Sequence, residues 1–374
     1  MTNPFKEEQG VRNLRKITGL ALIALAVLTL AATAGAQQKF STTIYFDYTF
    51  NLTNDGYLTN DKLVPPPITN QFRFRRAYFR YDNKVSDTLS FRFLYDADNT
   101  ANLTGDSLTG NPATIATKKD DKLRPYIKNL YLDWSGLLPD SDLKIGMVNT
   151  ITFQLAEDKW GYRSVAKTMV DNFKDFTGTD IRASSADLGL NFTGMATKGL
   201  RYGAEVVSGE GYSHPEYDKY KKVAGYLEVI PVAGLSVIGY VDYEPRDASH
   251  KALTYKGDIY FEMVPNLTLA GEYVTYNSDL NMNTVNLSHF NVDGYSVWGV
   301  YKIMVDYLNA FARFDHYVPN STISSKNQDL IILGLDWIPV STTWKLQPNV
   351  LISDYADVNK KTDITAQMTF FMAF

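Results

Sequence analysis

The densest group of basic side chains lies in residues 73–92, which contain Arg73, Arg75, Arg76, Arg80 and Arg92. A guanidinium group stays charged at physiological pH and can donate two parallel hydrogen bonds to a phosphate or a carboxylate. If these side chains share one water-filled space, they would attract anions. If they pair with acids of the chain, their charge is neutralised; the candidate partners are Asp96, Asp133, Glu205 and Asp258. Because acids and bases are mixed along the chain, pairing is the favoured interpretation.

A second group of charges lies within residues 151–183, where the sequence has no strand pattern. The candidates are Glu157, Asp158, Lys159, Arg163 and Lys167. Around a narrow aqueous passage, such charges favour one sign of ion over the other. On an outer loop, they would only be solvated. The chemistry of both groups therefore depends on where the fold places them.

No catalytic or metal-binding pattern is present in the sequence. Neither G-x-S-x-G nor H-E-x-x-H occurs, and the Ser288–His289 pair has no suitably spaced acid. The absence of cysteine excludes disulfides and thiolate ligands. The four histidines, His214, His250, His289 and His316, lie far apart in the sequence. We therefore expect a protein that is not an enzyme and needs no cofactor or metal.

From residue 40 onward the dominant pattern is alternation of apolar and polar residues with a period of two, as in β-strands. For example, Leu188 and Leu190 share one face, opposite Asp187. The pattern accommodates about sixteen strands of roughly 9–13 residues, the length that a tilted strand needs to cross hydrocarbon. The alternation changes phase at Arg75 and Arg76, which predicts a β-bulge or a shifted register there.

The predicted links between strands alternate in length along the whole chain. Short links follow the even-numbered strands, and long links follow the odd-numbered ones, at residues 51–70, 98–122, 151–183, 209–220, 245–251, 278–289, 317–327 and 355–361. In an up-and-down sheet, all the long links then lie at one end. Short periplasmic turns and long extracellular loops are typical of β-barrels in bacterial outer membranes.

The composition agrees with this architecture. The chain has 374 residues, of which 45% are hydrophobic, 21% charged and 13% aromatic. A transmembrane barrel needs apolar residues only at alternate positions, with aromatic residues at both membrane interfaces. We therefore predict an all-β, transmembrane, antiparallel up-and-down barrel of about sixteen strands. Its candidate pore-facing cations are Arg73, Arg75, Arg76, Arg92, Lys144, Arg201, Lys256 and Arg313.

Residues 1–36 have the pattern of an export signal. Arg12, Arg15 and Lys16 precede an apolar run at 17–32, and a small-residue cleavage site ends at Ala36. Cleavage before Gln37 would leave residues 37–374 as the barrel domain; a retained helical anchor is the alternative. Cleavage removes four basic and two acidic residues and changes the net charge from −4 to −6. This balance argues against nucleic acid as a partner.

Several stretches resemble the phosphate-selective porin O and P family. They are FRFRRAYF at 72–79, LSFRF at 89–93, LKIG at 143–146 and SADLGL at 185–190. The resemblance implies sixteen strands, a homotrimer and a loop at 151–183 that folds into the barrel. It does not extend to phosphate selectivity, because no run of pore-facing arginines and lysines can be matched. The final strand ends on Phe374, which resembles the signal read by the outer-membrane assembly machinery.

Together these observations predict an outer-membrane porin, a water-filled channel for passive diffusion of ions and small hydrophilic solutes. An anion- or phosphate-selective channel that uses the arginine group is the first alternative. An outer-membrane enzyme and a structural barrel are the others. The expected partners are outer-membrane lipid, the permeating solutes and further copies of the chain.

Overall fold

The computed structural model describes residues 37–53, 58–59, 62–63, 70–98, 103–108, 115–120, 124–172, 184–245, 247–279, 290–321 and 323–374. The strands are β1 (Gln37–Asn51), β2 (Leu58–Thr59), β3 (Lys62–Leu63), β4 (Asn70–Lys84), β5 (Leu89–Asp98), β6 (Leu103–Leu108), β7 (Ile115–Asp120), β8 (Arg124–Ser135), β9 (Ser141–Asn149), β10 (Ala186–Thr197), β11 (Leu200–Val207), β12 (Lys222–Val232), β13 (Leu235–Pro245), β14 (Lys251–Phe261), β15 (Leu267–Ser278), β16 (Phe290–Met304), β17 (Leu308–Val318), β18 (Gln328–Ser341), β19 (Trp344–Tyr355) and β20 (Asp363–Ala373). The helices are α1 (Ile151–Trp160), α2 (Met169–Asn172) and a 3-10 turn (Ser324–Lys326).

Sixteen of these strands form one closed antiparallel barrel. Each pairs with its neighbours in chain order, in the series β1, β4, β5 and then β8 through β20, and β20 pairs with β1. At the closure, Thr42 and Phe374 exchange backbone hydrogen bonds of 2.6 and 2.9 Å. The predicted fold class is confirmed, and each predicted strand overlaps one barrel strand. The hairpins β2–β3 and β6–β7 and the helices within the long loops were not predicted.

The short turns all lie at one end of the barrel and the long loops at the other. Three of the turns contain only two residues, and the one between β12 and β13 consists of Ala233 and Gly234. Gly234 has a φ of 84°, a conformation that suits glycine because a side chain would be strained there. The predicted alternation of link lengths is therefore confirmed.

The outer surface of the barrel wall is apolar and the inner surface is polar. Outward-facing Leu188, Leu227 and Val297 are 49%, 56% and 57% exposed. By contrast, the carboxylates of Asp315 and Asp336 are fully buried inside. An apolar exterior around a polar interior suits a barrel surrounded by hydrocarbon. Within the described ranges, no helix is both long and apolar enough to cross a membrane.

Two β-bulges turn extra basic residues towards the interior. Where β1 pairs with β4, Tyr45 lies opposite Arg76 and Phe46 opposite Phe74, so Arg75 is the extra residue. This confirms the bulge predicted at Arg75 and Arg76. A second register shift, between β5 and β8, leaves Lys128 without a partner across the pair. The sequence did not predict that bulge.

Candidate functional site

Residues 151–172, here called the plug segment, leave the barrel wall at the end of β9. Helix α1 ends at Gly161, which has a φ of 67° and whose N–H donates to the carbonyl oxygen of Glu157. A left-handed residue at this position is a common helix terminator and reverses the chain direction. Tyr162 then accepts backbone hydrogen bonds from Val165 and Ala166 before α2 begins. The plug segment is therefore a helix followed by a compact returning turn.

The plug segment lies inside the barrel, because it is bound by strands on opposite sides of it. Arg75 on β4 donates to the carbonyl oxygens of Ser164 and Val165 at 2.7 and 2.9 Å. On the other side, Arg313 on β17 donates to a plug carbonyl oxygen, that of Lys167, at 2.6 Å. Gln347 on β19 accepts a hydrogen bond of 2.6 Å from the Ser164 hydroxyl.

The plug segment also extends through most of the barrel's height. It begins at the long-loop end, where the Thr150 hydroxyl donates to the carbonyl oxygen of Ser184 at 2.6 Å. Near the other end of α1, Lys159 forms an ion pair of 2.7 Å with Glu262. Glu262 lies in the short turn that follows β14. The family resemblance implies that the loop at 151–183 folds into the barrel. Residues 151–172 of this loop do so.

One side of the plug segment forms an apolar core with the barrel wall. The indole ring of Trp160 is 1% exposed and lies 5.4 Å from Trp298 and 6.1 Å from Phe311, between ring centroids. Tyr162 stacks on Phe311 at 4.4 Å. The guanidinium of Arg313 lies over the Trp160 ring at 5.0 Å. Buried apolar side chains of β12 to β18 complete this core, here called the apolar half of the interior.

The opposite side of the plug segment faces a polar cavity of about 340 Å³. Strands β1, β4, β5, β8 and β9 and helix α1 contribute its lining. Its cationic lining residues are Arg80, Arg92, Lys128 and Arg163, and its anionic ones are Glu157 and Asp158. The wall therefore contributes positive charge, helix α1 contributes negative charge, and Arg163 in the turn that follows contributes positive charge. An ion in this polar cavity would lie in a field directed across it.

Ion pairs hold most of these charges in place. Arg80 and Arg92 share the carboxylate of Asp82, with Arg92 at 2.7 Å. Lys128 lies 3.6 Å from Asp96. Shared acids leave part of the positive charge unneutralised, because a single carboxylate serves two arginines.

The two lining charges of the plug segment differ. Arg163 pairs with Glu157 at 3.2 Å and with Asp171. Asp158 is exposed to the polar cavity and forms no ion pair with any residue in the described part of the chain. Partial burial, together with the nearby charge of Glu157, raises the pKa of the Asp158 carboxyl. Asp158 therefore loses its charge at a higher pH than an ordinary aspartate does.

All eight predicted pore-facing cations are paired with wall acids, Arg92 with Asp82 as described above, which agrees with the favoured interpretation. Arg73 and Arg75 lie 3.0 and 3.4 Å from Asp47, and Arg76 lies 3.3 Å from Asp96. The other four pairs are Lys144–Asp133 at 4.0 Å, Arg201–Glu228 at 3.4 Å, Lys256–Asp258, and Arg313–Asp315 at 2.6 Å. Only Arg92 among the eight lines the polar cavity.

The five predicted constriction charges divide between two environments. Glu157, Asp158 and Arg163 line the polar cavity. Lys159 is held at the short-turn end by Glu262, and Lys167 pairs with Asp171 at 3.3 Å. The predicted cleavage site lies at the edge of the described residues: Gln37 begins β1, and Ala36 lies outside them.

Sequence reasoning missed Lys128 and the apolar half. Lys128 is the extra residue of a bulge, so strict alternation assigns it to the wrong face. The apolar half had a visible signal, because β16 carries large apolar residues on both faces: Trp298 is buried and Val297 is exposed. A strand that is apolar on both faces needs a second apolar surface inside the barrel, and the plug segment provides it.

The three histidines that the structure describes lie apart from one another. His250 and His316 each lie 2.6 Å from a carboxylate, that of Asp247 and Asp329. His214 bonds to Ser213 at 3.0 Å in an exposed loop, and Ser288 and His289 lie outside the described residues. Within those residues, no group of three or more metal-ligating side chains forms a potential metal site.

Comparison with known proteins identifies the fold. No family model matches the sequence, and no curated protein matches it. Among solved structures, the anion-selective porin from Comamonas acidovorans is 11% identical, with a TM-score of 0.64, covering 91% of this chain and 100% of that one. The outer membrane channel DcaP of Acinetobacter baumannii is 12% identical, with a TM-score of 0.58, covering 91% and 98%. The trimer form of in-vitro folded OmpT, an outer membrane protein of Vibrio cholerae, is 11% identical, with a TM-score of 0.57, covering 91% and 99%.

At these identities the likeness establishes the architecture, a sixteen-stranded barrel of the porin type. The finer resemblance to the phosphate-selective porin O and P family stays a prediction.

Proposed function

We propose that this protein is an outer-membrane porin that lets ions and small hydrophilic solutes diffuse passively along the polar cavity. The observation that carries the proposal is the cavity itself, a polar space beside the plug segment within a closed barrel. The apolar exterior suits a membrane, and the charged lining suits hydrated solutes. The structural neighbours named as porins and channels support the same function.

Planar-bilayer recording of the purified, folded protein tests this proposal. We expect discrete conductance steps in KCl, and liposome swelling with small sugars that declines as sugar size increases. The plug segment narrows the interior, so the size limit should lie below that of an unobstructed sixteen-stranded barrel. Correctly folded protein that neither conducts nor admits sugars would contradict the porin proposal.

Preference for anions is the second candidate, favoured by four cationic against two anionic lining residues. Reversal potentials in a KCl gradient should then indicate chloride preference, and Arg92→Gln should reduce it. Arg73→Gln is the matched control, because Arg73 pairs with Asp47 away from the polar cavity. Phosphate titrated as a blocker distinguishes a specific phosphate site from general anion preference. Equal reversal potentials for the two variants would contradict a role for the polar cavity in selectivity.

The cellular setting is proposed on the same grounds. Residues 1–36 would direct export and be removed between Ala36 and Gln37, and the mature chain would assemble as a homotrimer in the outer membrane. Phe374, which closes the sheet against Thr42, would carry the signal for the assembly machinery. N-terminal sequencing of the membrane-inserted protein tests the cleavage position, and chemical cross-linking tests the trimer.

A further inference from the structure

The barrel wall behind the plug segment is acidic. On the inner faces of β10 to β18, here called the covered wall, nine carboxylates are buried but only three basic side chains are: Lys222, Lys256 and Arg313. Two further bases reach this wall from partly exposed positions, Arg201 on β11 and Lys345 on β19. Even with these two, acids exceed bases by four, so the covered wall carries net negative charge.

The plug segment binds the covered wall at these acids. At its start, the N–H of Ile151 donates directly to a carboxylate oxygen of Glu205 at 3.0 Å. The next residue, Thr152, bonds to the hydroxyl of Tyr240. That hydroxyl in turn donates to Asp242 at 2.7 Å. The first turn of α1 therefore covers two carboxylates.

The returning half of the plug segment repeats this arrangement. Gln347, which accepts the hydrogen bond from Ser164, donates its own amide to Asp336 at 3.0 Å. Arg313, which holds the plug backbone, also donates to Asp315 at 2.6 Å. Four carboxylates are thus covered through direct or one-step contacts. A fifth, Glu272, lies under the apolar half, where it accepts a hydrogen bond of 2.9 Å from the indole of Trp298.

The plug segment itself is electrically neutral. Its acids are Glu157, Asp158 and Asp171, and its bases are Lys159, Arg163 and Lys167. Residues 173–183 also carry two of each sign. Removal of the whole loop therefore leaves the net charge of the chain unchanged. It takes Glu157, Asp158 and Arg163 out of the lining of the polar cavity. Because these three charges sum to −1, a gain of cation preference on removal would have to come from the uncovered wall.

We propose that the plug segment sets the ion preference of the barrel by covering an acidic wall, so that permeating ions meet only the basic side of the interior. This inference rests on the proposed porin function. Exposed carboxylates along a pore attract cations and repel anions, whereas carboxylates sealed beneath an apolar layer are beyond the reach of passing ions.

Replacement of residues 151–183 by a short glycine-serine linker tests the proposal. The ends of this loop already touch, because Thr150 bonds to Ser184, so the linker need not strain the wall. We expect a larger conductance and a potassium-to-chloride permeability ratio raised by about threefold or more. A loop-deleted barrel that conducts more but keeps the permeability ratio of the intact chain would overturn the proposal.

Neutral variants of the covered wall provide a test that does not require the loop-deleted chain to fold. In the intact chain, Asp187→Asn with Glu228→Gln should leave the permeability ratio unchanged, whereas Asp158→Asn, in the polar cavity, should change it. Asp187 bonds to Ser208 and Gly209, and Glu228 bonds to Ser236 and Arg201, so neither acid holds the plug segment. In the loop-deleted chain, the wall variants should lower the potassium preference. A change of ratio in the intact chain on neutralising the covered wall would show that ions reach it and would contradict the proposal.

Failure of this proposal is distinguishable from failure of the porin function. An intact chain that does not conduct would contradict passive diffusion through the polar cavity. If its loop-deleted form then conducts with cation preference, the covering role of the plug segment still holds.

Discussion

The two sides of the plug segment have opposite characters although the same kind of alternating strand builds both. Towards β12–β18, buried aromatic and aliphatic side chains of the plug segment and the wall form one apolar cluster. Towards β1, β4, β5, β8 and β9, charged side chains surround the polar cavity. The comparison shows that one inserted segment can convert half of a polar barrel interior into a hydrophobic core. The passage is then confined to the side that stays polar.

The largest expected effect comes from removing the central anchor of the apolar half. Trp160→Ala deletes a fully packed indole and should weaken plug docking by about 3–5 kcal/mol. We expect faster hydrogen exchange in residues 151–172 and larger, noisier conductance, while the barrel strands stay protected. Trp134→Ala is the matched control, because Trp134 is 45% exposed on the outer wall. Exchange unchanged by Trp160→Ala would show that the apolar half does not hold the plug segment.

A smaller effect is expected where the plug segment meets the polar side. Arg75→Gln removes two charge-assisted hydrogen bonds to plug carbonyls and should weaken local docking by about 2–3 kcal/mol. Hydrogen exchange at residues 164–168 measures this. Arg73→Gln perturbs the same Asp47 without touching the plug segment, so it should leave that exchange unaltered. If both variants behave alike, Arg75 acts through Asp47 and not through the plug backbone.

The turn between the two helices should respond more weakly still. Gly161→Ala places a side chain at a φ of 67°, which costs about 1–2 kcal/mol. No atom lies within 4 Å of the added methyl group, so the effect is purely conformational. Gly239→Ala also meets nothing within 4 Å but keeps ordinary strand geometry, and should be nearly neutral. Equal local stabilities for the two variants, measured by hydrogen exchange, would contradict this account.

The smallest expected effect concerns pH and the polar cavity. Because its pKa is raised, Asp158 loses its charge at a higher pH than an ordinary aspartate as the solution is acidified. The lining then becomes more positive, so the chloride-to-potassium permeability ratio should rise by about twofold on acidification. Asp158→Asn should start from the higher ratio and lose this part of the pH dependence. Asp87→Asn, in an exposed turn where Lys84 lowers the carboxyl pKa, should retain it.

The strands of the barrel were predictable because two independent sequence signals agree on them. Period-two alternation locates each strand, and the alternation of short and long links fixes the up-and-down order. The bulge at Arg75 was also visible, as a change of phase. The bulge at Lys128 was not predicted, because strict alternation places Lys128 on the outer face with Leu130, whereas Lys128 and Asn129 both face inward.

The candidate site was less predictable because its geometry depends on contacts between distant residues. The charges of residues 151–183 were identified from the sequence, but helix α1 was not. Its apolar residues do not form a regular helical stripe, because their positions match the barrel wall against which they pack. The polar cavity is lined by Arg92, Glu157, Asp158 and Arg163. Lys159, by contrast, forms an ion pair with Glu262 at the short-turn end. No local pattern distinguishes these outcomes.

The position of the plug segment in the chain also constrains the order of assembly. Three of its partners lie far downstream: Arg313, Tyr317 and Gln347 follow the plug residues that they bind by 146, 145 and 183 positions. Contacts of such high sequence separation form late, because the intervening chain must first be ordered. The surface that binds the plug segment is therefore incomplete until β16–β19 have joined the sheet. During insertion, residues 151–172 should therefore become resistant to protease later than the early strands do. The time at which they become resistant would then mark the completion of the barrel.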